Sequence, residues 1–200
     1  MCGIVGLYLK NTDMQSKLGA LFAPMLIAMT DRGPDSAGFA IYRNPVGENE
    51  TKFTLASDDA KTDWESLASE LEKKLACAAR IDLHGDHAVM VTESDPQAVQ
   101  NWLAEFRPTI RIVGSGRAIE IFKQTGLPKD VVEQFKLASA HGSHAIGHTR
   151  MATESGISGK HSHPFCAARD FSLVHNGSLS DHNGTRGRLQ RAGIAFDNHP

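Results

Sequence analysis

Residues 1–10 read MCGIVGLYLK, a segment that is apolar up to its final lysine. A membrane-spanning helix needs about 20 apolar residues, so this run is too short to cross a bilayer. It also lacks the basic residues that begin a secretory signal peptide. Ile, Val, Leu and Tyr in so short a run are typical of a buried β-strand, which we predict over residues 3–9.

The flanking sequence predicts further elements of the same domain. Apolar side chains recur at helical spacing, and we expect core positions at Leu18, Leu21, Phe22, Met25, Leu26 and Met29. This helix should end near Thr30, because the pair Gly33–Pro34 favours a turn. The sequence predicts strands at SAGFAIYR (36–43) and FSLVHN (171–176), and a last helix at 183–192.

Residues 45–138 have a different character, because predicted strands and helices alternate along them. Examples are KFTLAS (52–57), TDWESLASELEKKLACAA (62–79) and HAVMVTE (87–93). We therefore predict a small α/β subdomain at 45–138, inserted into a main domain of residues 1–44 and 139–200. The final residues, AFDNHP, are polar and loop-like, and we expect the chain to be truncated at its C-terminus.

The composition excludes several classes of protein. The chain has 200 residues, 40% of them hydrophobic, and a formal net charge of −2, so we expect neither nucleic acid nor a membrane surface as a partner. Cys2, Cys77 and Cys166 are an odd number without close spacing, which argues against a secreted disulfide framework. We therefore expect a cytoplasmic protein.

Cys2 is the first candidate for chemistry. Methionine aminopeptidases remove Met1 when the next side chain is small, which would leave Cys2 with the free amine of the chain. An α-amino group has a pKa of about 7.7 to 8.0 and can serve as general base for a thiol on the same residue. The alternative is that Cys2 is simply a small buried side chain at the start of a strand.

Five segments occur together with Cys2: MCGIVG (1–6), DRGPDSAG (31–38), GHTRMAT (147–153), HPF (163–165) and HNG (175–177). In this order they resemble the class II glutamine amidotransferases, a family of N-terminal-nucleophile (Ntn) hydrolases. The resemblance covers residues 1–43 and 139 to about 190. It implies hydrolysis of glutamine to glutamate and ammonia, and an α+β fold: a four-layer αββα sandwich carrying the inserted subdomain.

The resemblance assigns the catalytic roles residue by residue. Cys2 is the nucleophile, and the side-chain amide of Asn176 with the backbone N–H of Gly177 forms the oxyanion hole. The dipeptide Asn-Gly itself favours a turn with positive φ, which can present such donors. Without the other motifs, HNG would be interpreted as an ordinary hairpin turn.

Arg150 is the candidate for binding the substrate carboxylate. It is the only charged residue in the stretch HAIGHTRMAT, on what should be a mostly buried strand, where a lone charge is costly unless paired. A guanidinium binds a carboxylate with two parallel hydrogen bonds, and the resemblance assigns this role to Arg150 with help from Thr153. An internal salt bridge of Arg150 is the alternative.

Other positions are either supporting or depart from the family. Arg32 and Gly33 lie in a turn that the resemblance places beside the nucleophile, where the Gly33 carbonyl would contact the Cys2 amine. Met151 and Glu154 stand where several amidotransferases have Trp and His. Met151 can still form an apolar wall, whereas Glu154 could engage the substrate ammonium. The family's acidic residue for that ammonium follows the helix after HNG, beyond this sequence.

The motifs are most similar to separate amidotransferase subunits of glutamate-synthase-like proteins, including the N-methylglutamate synthase type. This similarity implies that ammonia passes to a synthase partner subunit. Flavin or an iron–sulfur cluster is then expected only on that partner, and no cofactor on this chain.

The sequence is compatible with three other functions. The first is a zinc site, which is suggested by the cluster of His141, His144 and His148 near His161 and His163. The spacing of these histidines on a strand is unsuitable for zinc ligands, and we expect no metal. A non-catalytic amino-acid-binding or regulatory relative is a second alternative. Another N-terminal-cysteine amide hydrolase is a third, although Arg150 with Thr153 favours a free amino acid as substrate.

Overall fold

The computed structural model describes residues 2–59, 61–151, 158–177 and 180–194. Within these ranges the strands are β1 (Gly3–Tyr8), β2 (Ser36–Tyr42), β3 (Thr51–Ser57), β4 (Ala79–His84), β5 (His87–Thr92), β6 (Ile110–Gly116), β7 (Ile119–Thr125), β8 (His144–Arg150), β9 (Phe165–Ala168) and β10 (Phe171–Leu173). The helices are α1 (Leu18–Ile27), α2 (Trp64–Leu75), α3 (Pro96–Phe106), α4 (Pro128–Gln134) and α5 (His182–Arg191). None of these helices is long and apolar enough to cross a bilayer.

The first sheet has the strand order β1-β8-β2-β7, and all of its pairs are antiparallel. It contains the strands predicted at 3–9 and 36–43, which are confirmed with one residue fewer each. Alternate residues of β2 share a face, so Ala37, Phe39 and Ile41 belong to the core that α1 covers.

Helix α1 covers one face of this sheet. Leu18, Phe22 and Leu26 are fully buried, as the spacing predicts, and each such side chain contributes about 1.5 to 3 kcal/mol by leaving water. Leu21 was wrongly predicted to be core, because it is 40% exposed. The buried stripe follows the 18, 22, 26 spacing, and Leu21 lies beside it.

The second sheet has the order β4-β5-β3-β6, again antiparallel throughout. Helices α2 and α3 pack against this sheet in an apolar cluster to which both helices and strands contribute: Phe53, Leu55, Leu67, Leu71, Met90, Val99 and Leu103. Both helices begin at an aspartate whose carboxylate accepts a backbone N–H: Asp63 from Ser66 and Asp95 from Ala98.

A third apolar cluster draws on both sheets. It joins Ala40 of β2 and Ile121 of β7 with Ala56 of β3 and Val113 of β6. One apolar cluster therefore lies between α1 and the first sheet, a second between the second sheet and helices α2 and α3, and the third between strands of the two sheets. The mixture of helices with antiparallel sheets agrees with the predicted α+β class.

The segment 45–138 contributes to both sheets. It supplies all four strands of the second sheet, whereas β7 pairs with β2 from Ser36↔Thr125 to Tyr42↔Ile119 in the first. Helix α4 of the same segment contacts α1 and β2. The division of the chain at 45 and 138 stays a prediction.

The C-terminal part of the described chain holds two predicted elements. The strand predicted at 171–176 is shorter than expected, because β10 ends at Leu173 and pairs only with β9. The helix predicted at 183–192 is confirmed as α5, one residue earlier at each end.

Candidate active site

The candidate site lies where β1 begins, β8 ends and β2 begins. Gly3 pairs with Thr149, and Ser36 pairs with Arg150. Extending the first register by one pair puts Cys2 opposite Arg150, and directly opposite residues of antiparallel strands share a face. The fold therefore brings the predicted nucleophile and the predicted carboxylate ligand, far apart in sequence, to one edge of the first sheet.

Asn176 reaches the same edge from the turn after β10. Its Nδ2 atom donates a hydrogen bond to the backbone oxygen of Cys2 at 2.9 Å. The next residue, Gly177, has the positive φ that the dipeptide predicts, at 144°. A primary amide carries two N–H donors, so this bond orients Asn176 while using one of them.

The turn that contains Arg32 and Gly33 packs against the end of β8. A Cβ atom on Gly33 would lie 2.5 Å from the backbone nitrogen of Arg150, so no side chain fits there. Two residues later, the N–H of Asp35 donates to the carbonyl of Arg150 at 3.1 Å. Arg32 ends the short 3₁₀ turn Thr30–Arg32 beside β8. This turn fixes the backbone of Arg150.

The other predicted binding residues follow β8. Met151 is 37% exposed. Thr153 and Glu154 lie outside the described residues, and so does Met1. The roles predicted for all of the site residues stay predictions.

The sequence, in which His148 and His163 were considered only for a zinc site, predicted no role for either of them here. His148 is 1% exposed, and its Nε2 atom lies 3.1 Å from the carbonyl oxygen of His175. Nδ1 of His163 accepts the N–H of His175 at 3.3 Å. The two rings stack, with centroids 4.5 Å apart. The signal in the sequence was strand alternation, because His148 lies two residues before Arg150 and therefore on the same face.

Both imidazoles are neutral at pH 7. Burial lowers the pKa of His148 to about 4, and the charge of Arg150 adds to the effect, although the bond to the His175 carbonyl opposes it. Burial also lowers the pKa of His163 to about 4, with further contributions from His148 and Lys123. A desolvated ring beside other cations loses its proton more readily.

Lys123 lies close to these rings. Its Nζ donates to the carbonyls of Ser162 at 2.8 Å and Pro164 at 3.2 Å, and lies 4.4 Å from the centre of the Phe165 ring. Burial, more than the charge of Arg111, lowers the pKa of the amine to about 7. The lysine thereby ties the backbone on both sides of His163 to β7.

The histidines do not assemble a metal site in the described ranges. No group of three or more His, Cys, Asp or Glu side chains is placed there to hold a metal ion. Instead, His144 stacks on Tyr42 with centroids 3.9 Å apart, and His141 contacts Arg43.

A cavity of about 650 Å3 lies between α3, β6, β7 and β9. Its lining includes Leu103, Arg111, Lys123 and Cys166. Among the predicted site residues that the structure describes, none lines this cavity.

Comparison with known proteins finds relatives that are named as glutamine amidotransferases. No protein-family model matches the chain. Over 98% of its length the chain is 49% identical to the glutamine amidotransferase-like protein GlxB of Rhizobium meliloti (strain 1021), and it covers 65% of that protein. It is 29% identical, also over 98% of its length, to a candidate glutamine amidotransferase of Methanothermobacter thermautotrophicus, of which it covers 68%.

A shorter match extends the comparison to a third protein. Over 88 residues, 44% of the chain, it is 25% identical to glutamine–fructose-6-phosphate aminotransferase of Idiomarina loihiensis, of which it covers 14%. The chain thus spans about two thirds of the two relatives that match its whole length (65% and 68%). These similarities are to proteins whose names describe glutamine amidotransferases or a glutamine-linked aminotransferase.

Proposed function

We propose that this chain hydrolyses the side-chain amide of glutamine at Cys2, as a class II amidotransferase. The observation that carries the proposal is the hydrogen bond from Asn176 Nδ2 to the backbone oxygen of Cys2, at the sheet edge where Arg150 lies opposite Cys2. A thiol can attack an amide carbon, an amide N–H can stabilise the resulting oxyanion, and a guanidinium can bind the carboxylate of an amino acid.

The reaction proceeds through a thioester. The Cys2 sulfur bonds to the amide carbon of glutamine while the Cys2 amine takes the thiol proton. Asn176 and the N–H of Gly177 hold the oxyanion. The C–N bond then breaks, and the leaving nitrogen takes the proton from the amine and departs as ammonia. Water, activated by the same amine, cleaves the thioester to glutamate and the free thiol.

Arg150, with Thr153, binds the α-carboxylate of glutamine in this proposal, and Met151 and Glu154 complete the pocket. Arg32 and Gly33 have supporting roles, in which the Gly33 carbonyl orients the Cys2 amine. The close packing of Gly33 against Arg150 supports this arrangement, because it links the turn to the carboxylate ligand.

The fold that belongs to this proposal is the Ntn-hydrolase αββα sandwich. The apolar cluster shared by the two sheets supports it, together with the clusters that α1 forms with one sheet and α2 and α3 with the other. The removal of Met1 that an Ntn mechanism requires is part of the proposal.

We further propose that the ammonia passes to a synthase partner subunit of the glutamate-synthase-like or N-methylglutamate synthase type. Any flavin or iron–sulfur cluster would belong to that partner, and this chain would carry no cofactor. The similarity to proteins named as amidotransferases supports an ammonia acceptor in general. Cytoplasmic location is proposed from the cysteines, which are all free.

The decisive experiment is mass spectrometry after treatment with a diazo-ketone analogue of glutamine. We expect one adduct, on Cys2, in a chain that has lost Met1, together with release of ammonia from glutamine. Cys2→Ser should lose both the adduct and the ammonia release. A retained Met1, or an adduct on Cys77 or Cys166 instead of Cys2, would contradict the proposal.

A further inference from the structure

The turn that carries Asn176 is held by two imidazoles whose hydrogen bonds have opposite directions. A carbonyl oxygen can only accept, so Nε2 of His148 donates to the carbonyl of His175. Nδ1 of His163 accepts the N–H of the same residue. Both polar backbone groups of His175 are therefore bound by histidines, one residue before Asn176.

These bonds define the tautomer of each ring. A neutral His163 that accepts at Nδ1 carries its proton on Nε2, and a neutral His148 that donates from Nε2 has a bare Nδ1. Nδ1 of His148 is indeed buried without a hydrogen-bond partner among the described residues. A protonated Nδ1 at that position would leave an N–H buried and unpaired, which is costly.

The groups around the rings favour the same neutral state. Lys123 lies on β7, Arg150 on β8 and His175 on the turn, and each disfavours a positive charge on His163. Stacking at 4.5 Å would also place two positive rings in contact if both were protonated.

One face of the first sheet supports the backbone of His163. Register pairs align Lys123, Gly38 and His148 across β7, β2 and β8, so the three residues share a face. Gly38 has no side chain between the other two, and the carbonyl oxygen of His163 lies 2.3 Å from the point where a Cβ would be. Lys123 binds the carbonyls on both sides of His163. The support for the turn thus extends from β7 to the backbone oxygen of Cys2.

We propose that His148 and His163 are positioning residues, neutral imidazoles that hold the backbone of His175 and thereby aim the Asn176 amide at Cys2. The inference rests on the proposed glutamine hydrolysis. Neither histidine contacts the reacting atoms in this mechanism. Their effect is exerted on the oxyanion donors alone, so it should appear in turnover more than in glutamine binding.

Matched variants separate hydrogen bonding from shape. His148→Gln retains a donor near the position of Nε2, whereas His148→Leu does not. His163→Asn retains an acceptor near the position of Nδ1, whereas His163→Phe keeps only the ring. We expect the Leu and Phe variants to lower kcat for glutamine about 10- to 100-fold with KM changed less than about threefold. The Gln and Asn variants should stay within about fivefold of wild type.

Alkylation of Cys2 by iodoacetamide is the control, because displacement of iodide forms no oxyanion. Its rate, measured on the Cys2 peptide, should be the same in all four variants. Wild-type kcat in both apolar variants would overturn the proposal. Equal impairment of the polar and apolar variants would also overturn it, since hydrogen bonding would then be irrelevant.

Nitrogen-15 NMR of the wild-type rings gives a readout that is independent of activity. At pH 7 both rings should be neutral with the proton on Nε2, and a proton on Nδ1 of either ring would contradict the proposal. If these tautomers are found but glutamine is not hydrolysed, the proposed function is wrong, but the proposal that the two histidines hold the turn is not contradicted. Hydrogen exchange at the Gly177 amide then tests the positioning role directly. Faster exchange in His148→Leu than in wild type supports this role, and unchanged exchange overturns it.

Discussion

The side-chain amide of Asn176 donates to the backbone oxygen of Cys2 at 2.9 Å, a contact between residues 174 positions apart in sequence. It joins the turn after β10 to the start of β1. The first prediction follows from it. Asn176→Ala should lower kcat about 100- to 1,000-fold, the effect of losing one oxyanion donor in other enzymes, with a smaller change in KM. Ammonia release from glutamine measures both constants, and a kcat within twofold of wild type would remove Asn176 from the mechanism.

Arg150→Ala should weaken glutamine binding, because the variant lacks the guanidinium that we propose binds the α-carboxylate. We expect kcat/KM to fall about 10- to 100-fold, chiefly through KM. Glutaminamide, which lacks the carboxylate, is the matched substrate: it should react equally slowly with wild type and variant. Lost thermal stability with an unchanged KM would instead favour an internal salt bridge for Arg150.

Gly33→Ala should destabilise the protein, because the new Cβ would lie 2.5 Å from the backbone nitrogen of Arg150. Overpacking of this kind costs about 1 to 3 kcal/mol of unfolding free energy. Gly6→Ala is the control, since its Cβ would meet its nearest neighbour at 3.9 Å. Chemical denaturation compares the two variants, and equal stabilities would show that the turn can move away from β8.

Lys123 should give the unfolding free energy a pH dependence on the alkaline side. Its folded pKa is about 7, against 10.5 for an ordinary lysine, so between these values the unfolded chain binds more protons. Stability from this group therefore rises as pH increases from 7 to 10.5. Lys123→Met should lack this rise. The unfolding free energies of the two proteins are measured by denaturation at several pH values between 7 and 10.5. If both change with pH in the same way, the folded Lys123 amine has an ordinary pKa and the prediction is wrong.

Local sequence signals predicted the elements that depend on neighbouring residues. The short apolar run at the N-terminus predicted β1, helical spacing predicted α1, and Asn-Gly predicted the positive φ at Gly177. Exposure of Leu21 was missed because spacing alone does not show how wide the buried stripe is. Pairing of β2 with β7 joins residues that no local pattern relates.

The candidate site shows the same division. Motif resemblance selected Cys2, Arg150 and Asn176, and the structure brings them to one edge of a sheet. The support from His148, His163 and Lys123 was not predicted. This support depends on which strand faces are covered and on the space that Gly38, which lacks a side chain, leaves for the His163 backbone. Those contacts are tertiary, and an isolated histidine in a sequence carries no sign of its hydrogen-bond partner.

The register between β1 and β8 has a practical consequence for anyone preparing this protein. Six residue pairs, from Gly3↔Thr149 to Tyr8↔His144, put Cys2 opposite Arg150. A slip of β1 by one residue would turn every one of its side chains to the opposite face, and a thiol so displaced would no longer meet its guanidinium. Under the proposed chemistry, the fraction of Cys2 that a glutamine analogue labels therefore equals the fraction of correctly refolded molecules in a sample. The same labelling reaction can thus measure the quality of a preparation as well as test the mechanism.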